Sequence, residues 1–182
     1  MSPRRVFALA LGTQGLLIVA AWLISRAMNI TTPWGDPMRD TAIGLAAAVA
    51  LAAGNYALLV HAPGNWLVNG VRAVYDDVLV PLFASLSRLS IVVLGAAAGI
   101  GEEWLFRGVV QPAIGLLGAS VAFGLAHVGG LRMLPFGIWA AAMGLVMGTL
   151  AIATNGLVAP IVAHGVYDML ALAYIRRGAH NE

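Results

Sequence analysis

The 182-residue sequence contains no cysteine. Disulfides, thiol nucleophiles and Cys-ligated metals are thereby excluded. The compartment stays open, because a missing cysteine rules out the bond without naming a location. Lysine is absent too, so all ten basic residues are arginine, a bias that reads as coding preference rather than chemistry. Charge is scarce: 10% of residues are charged and the net charge is +2, so a pI near 9.5 implies no nucleic-acid partner. What is present is apolar, 60% of residues being hydrophobic with a mean hydropathy of +0.88. A soluble domain of this size needs far less apolar surface, so the class is a polytopic transmembrane protein. The expected fold is an all-α transmembrane helical bundle forming one membrane domain over residues 1–182.

The chain reads as about six spans and one interfacial amphipathic helix. A basic start, Met1 to Arg5, precedes an apolar run over residues 6–24. A signal peptide competes for this run, but its length favours a retained span. Residues 25–40 hold Pro33, Gly35 and Pro37, which break a helix and form a loop. Residues 41–60, rich in Ala and Gly, form a second, closely packed span. Within residues 61–87, Leu67, Val71, Val74, Val78 and Leu82 recur at helical spacing, with Asn69, Arg72 and Asp76 on another face. That pattern predicts a helix lying in the interface, anchored by Trp66 and Tyr75. Further spans are expected over 89–113, 115–128, 135–153 and 157–175, without an internal repeat. With the amino terminus inside, Arg4, Arg5, Arg72, Arg88, Arg132, Arg176 and Arg177 fall on the cytoplasmic side. Only Arg26 and Arg39 fall outside, as the positive-inside rule expects. The predicted location is a cytoplasmic (inner) membrane, with both termini cytoplasmic.

One stretch stands apart: Gly101-Glu102-Glu103-Trp104-Leu105-Phe106-Arg107-Gly108 sets two carboxylates and a guanidinium inside an apolar run. Charges at that depth are costly and mark a working site by default. Glu103 and Arg107 share a helix face, and Glu102 is turned by roughly 100°. His127 closes the fourth span, and His164 and Asp168 lie four apart on the sixth. Counted from the outer ends, Glu102, His127 and Asp168 lie roughly 16–18 Å down and His164 about 10 Å. Three helices thus bring ionisable groups to one level, which suggests a shared cavity. Plainer readings exist for the parts. Glu103 and Arg107 could be a structural ion pair, His127 a packing residue, and His164 with Asp168 a helix-to-helix hydrogen bond. His61 and His180 are assigned nothing.

Such a set supports water activation. A carboxylate shielded from solvent can act as general base toward water. An imidazole can orient that water, and another can donate to a developing oxyanion. The same residues could instead ligate zinc, although the His-Glu-x-x-His signature of many zinc proteases is missing.

Glu102-Glu103-x-x-x-Arg107, Phe123-x-x-x-His127 and His164-x-x-x-Asp168, in that order, resemble the three motifs of the CPBP family. These are the CAAX-processing and bacteriocin-processing (Abi) intramembrane proteases. The resemblance covers about residues 85–170, with Gly101 and Phe106-Arg107-Gly108 flanking the first motif as is usual in that family. It implies a membrane endopeptidase in which Glu102 activates water and His127 assists. His164 and Asp168 would stabilise the oxyanion or complete a metal site, with Glu103, Arg107 and Phe123 in support. Both a zinc ion at Glu102, His127, His164 and Asp168 and a metal-free glutamate mechanism are consistent with it.

Prenyl-protein processing members typically carry Asn where this chain has Asp168. An ionised Asp donates no hydrogen bond, so the oxyanion role and a prenylated substrate transfer less directly. The expected partners are membrane lipid and a membrane-associated peptide or protein substrate. The oligomeric state is open. Intramembrane Glu, His and Asp also build proton relays, so a proton-coupled transporter is the first rival. A non-catalytic membrane partner or immunity protein on the same scaffold is the second.

Overall fold

Proline and short polar side chains start the helices of this all-α chain. In the computed structural model, which describes residues 1–178, α1 (Pro3–Ala27) and α2 (Pro37–Val60) each begin with proline in the first turn. Proline lacks only an N–H that would go unpaired there. Asp36 caps α2 by accepting from the Met38 and Arg39 amides. The loop between them spans residues 28–36, shorter at both ends than expected. Asp40, expected in that loop, is fully buried in α2, where it accepts from the Asp36 amide and pairs with Arg39.

Residues 66–83 form α3 (Trp66–Val74), a π-helical turn (Tyr75–Leu79) and α4 (Val80–Phe83). Then come α5 (Arg88–Glu103), a second π-helical turn (Trp104–Val110), α6 (Gln111–Ala126), α7 (Leu134–Thr154) and α8 (Val158–Gly178). Five helical segments are long and apolar enough to cross a membrane, the third of them the continuous 39-residue run Arg88–Ala126. That run replaces two of the expected spans. It folds back at Gly115, whose φ of 76° and ψ of 171° are open chiefly to glycine. The returning limb, residues 116–126, rises only about 16 Å. It is a half-span, because hydropathy registers apolar character and not how far a limb reaches.

α5 and α8 run antiparallel at the centre, and α2 runs parallel to α8. Glycine sets both spacings. A Cβ on Gly99 would stand 2.5 Å from the Ile161 carbonyl oxygen, and one on Gly44 would stand 2.7 Å from that of Ala159. Close backbone approach through small residues is how membrane helices gain dispersion contact. Both ends of the described chain meet at one face, where Phe7 of α1 and Leu172 of α8 pack on Leu86, Ile91 and Leu94.

The segment expected to lie in the interface crosses that face as a roof. Val68, Val71 and Val74 are buried. Arg72 is not a solvated charge but caps the end of α2, donating to the carbonyls of Leu58, Leu59 and Ala62 at 2.7–3.1 Å. Trp66 remains exposed, as an anchor requires. Tyr75 does not, because its side chain lines the cavity below and its hydroxyl is buried.

A candidate active site under the roof

Glu102 and Glu103 are the penultimate and last residues of α5, where the helix passes into its π-helical turn. Such turns recur at functional sites because they re-aim side chains without ending the helix. Here the two carboxylates point to different partners.

Glu103 is fully buried. One of its oxygens accepts from His164 Nδ1 at 2.7 Å, and the other lies 3.2 Å from Arg107 Nε. The latter is an ion-pair contact without hydrogen-bond alignment. Arg107 also donates to the Gly144 carbonyl at 3.1 Å and lies 4.7 Å above the Phe123 ring. Phe123 in turn packs against Phe106, His127 and His164. Sequence reasoning paired Glu103 with Arg107 alone. The contact that orients His164 runs between helices and leaves no trace in the spacing.

Glu102 faces the other way. Its Oε1 accepts from Gln14 Nε2 of α1 at 2.7 Å. Its Oε2 is buried without a hydrogen-bond partner, 3.7 Å from His127 Nε2 and 3.9 Å from His164 Nε2. Asp168 Oδ2 lies 3.6 Å from His164 Nε2. His127 Nδ1 lies 2.8 Å from the Phe123 carbonyl, to which it donates. Both imidazoles are therefore held through Nδ1 and turn Nε2 toward the same space. The four residues surround a cavity of about 280 Å³ under the roof. Its walls include Val71, Leu79, Phe83, Trp139 and Leu172, with Asn55 of α2 contributing an amide. Gln14 and Asn55 were not singled out in the sequence, and their signal there was weak: single amides in otherwise apolar spans. His61 lies at the α2 terminus, and His180 lies outside the described residues.

Separations of 3.6–3.9 Å are too long for direct hydrogen bonds, so these polar atoms do not satisfy one another. Tetrahedral zinc with bonds of about 2.0–2.1 Å would bring its ligand atoms to roughly 3.3 Å. Among the described residues, no group of three or more His, Asp or Glu is arranged to hold a metal ion. As arranged, the donor atoms stand a few tenths of an ångström wider apart than such a site.

Comparison with known proteins agrees with the motifs. Residues 83–170 match the family described as type II CAAX prenyl endopeptidase Rce1-like. The chain is 31% identical over 115 residues to the uncharacterized protein YpbD of Bacillus subtilis (strain 168), an overlap of 59% of this chain and 61% of that one. No solved structure matches. Together, the motif order and the matched segment make residues 83–170 similar to the Rce1-like family of type II CAAX prenyl endopeptidases.

Proposed function

We propose that the chain is an intramembrane endopeptidase that hydrolyses peptide bonds of membrane-associated peptides or proteins, with water activated by Glu102 and no metal. The observation that carries this reading is Glu102 Oε2, a buried acceptor with no hydrogen-bond partner, held 3.7 and 3.9 Å from two imidazole Nε2 atoms on the wall of the cavity. A water there donates one proton to Glu102 while its oxygen forms a bond to the substrate carbonyl carbon. Glu102 passes that proton to the leaving nitrogen as the carbon–nitrogen bond breaks. His127, fixed through Nδ1, accepts the second proton of the water in a hydrogen bond and orients it. His164, charge-balanced by Glu103, donates from Nε2 to the oxyanion, and Asp168 steadies His164. The domain sits in a cytoplasmic membrane with both described ends inside, since the arginine-rich face is the one that carries them.

The test is hydrolysis itself. The purified chain, reconstituted in vesicles with a membrane-anchored peptide reporter, is expected to release two fragments. In ¹⁸O-labelled water, the new carboxylate should carry one ¹⁸O, and chelators should not slow the release. Glu102-dependent proton uptake without cleaved product would replace this reading with transport.

Gln14 belongs to the same machinery as a positioning residue. Replacing it with Met keeps the length and removes the donor to a charged oxygen. A hydrogen bond to a charged group contributes about 1.5–3 kcal/mol. Gln14→Met should therefore lower kcat by roughly 10- to 100-fold with KM unchanged. Steady-state kinetics decides it: a KM effect alone would assign Gln14 to substrate binding.

A further inference from the structure

A second groove, of about 540 Å³, opens between the start of α5 and the end of α8 on the face that carries both described ends. Each wall begins with arginine and continues apolar. Arg88 is the first residue of α5, and Val92 lies one turn further in. On α8, Arg176 and Arg177 stand in the last turn, with Ala173 and Met169 one and two turns deeper. The apolar part therefore runs about 12 Å inward from Arg177. Val92 is 51% exposed, so the groove is open to whatever surrounds the bundle.

Among the described residues, none of these three arginines pairs with a carboxylate; the only arginine–carboxylate pairs are those of Arg39 and Arg107. Three guanidinium groups gathered at one rim repel one another and need an anion, and guanidinium matches phosphate geometry best. The groove asks for an apolar chain below that anion. A free phosphate would use the rim and leave the floor bare. An anionic phospholipid supplies both parts at the depth where a bilayer offers them.

We propose that this groove binds one anionic phospholipid, its phosphate held by Arg88, Arg176 and Arg177 and an acyl chain laid along Val92, Ala173 and Met169. The site is separate from the cavity, so the proposal stands or falls independently of the peptidase reading. It is tested by native mass spectrometry of the full chain released from vesicles of phosphatidylglycerol or of phosphatidylcholine with the same acyl chains. One retained phosphatidylglycerol is expected, held at least tenfold more tightly than phosphatidylcholine. Each arginine is worth about fivefold, so the triple Arg88→Gln, Arg176→Gln, Arg177→Gln variant should lose roughly 100-fold. Val92→Trp fills the floor without touching charge and should also release the lipid, which keeps the test decisive if the triple variant fails to fold. Equal retention of the two lipids overturns the proposal. So does inorganic phosphate displacing phosphatidylglycerol at comparable concentration, or retention unchanged by Val92→Trp.

Discussion

Glu102→Gln is expected to lower the turnover of a membrane-anchored reporter by roughly two to four orders of magnitude, general-base catalysis being worth about 10²–10⁴-fold. The substitution is isosteric, and its amide oxygen can still accept from Gln14 Nε2, now 2.7 Å from Glu102 Oε1. Its NH2 then takes the place of Oε2 and points a donor toward His127 Nε2, the neighbouring acceptor 3.7 Å away. Packing is preserved while the proton acceptor is gone. Thermal unfolding in detergent should match the parent, and cleavage should be lost. Full cleavage by a folded Glu102→Gln protein would remove Glu102 from the role of base.

A different kind of loss is expected at Glu103. This carboxylate is fully buried between the Arg107 guanidinium and His164. Glu103→Ala leaves Arg107, itself buried, without its counter-charge. Breaking a buried pair from one side typically costs about 3–5 kcal/mol, against a total stability of about 5–15 kcal/mol. The unfolding midpoint should therefore fall sharply, and cleavage with it. The pair can also be removed from both sides. Glu103→Leu with Arg107→Met removes the guanidinium together with its carboxylate, so much of the stability lost on orphaning Arg107 should return. Cleavage should not return, because His164 Nδ1 has lost the acceptor that turns Nε2 toward Glu102. Unfolding midpoints and reporter cleavage for the single and double variants separate the two roles. Recovery of both in the double variant would make Glu103 a structural residue only.

The sequence made the membrane class legible through apolar runs whose length matches a bilayer. It also brought Glu102, His127 and Asp168 to one depth, with His164 about one turn away, because helical rise converts residue number into height. The period of one helix, however, says which residues share a face and nothing about how that face is turned toward another helix. Glu102 illustrates the limit: its hydrogen bond to Gln14 crosses 88 positions. Tyr75 illustrates another. An amphipathic pattern fits a helix resting on lipid and one resting on protein equally well; the burial of Val68, Val71 and Val74 and the capping of α2 by Arg72 settle the roof onto the bundle.

By itself, then, the sequence determined an all-helical membrane chain with carboxylates and imidazoles at a common level, in an order that matches a peptidase family. Tertiary structure alone decided that α6 returns only halfway, that Glu103 holds His164, and that Gln14 joins Glu102. The reason is physical. Burial length and helical rise are properties of a segment, whereas rotation and approach are set by glycine contacts between segments, such as Gly99 against Ile161.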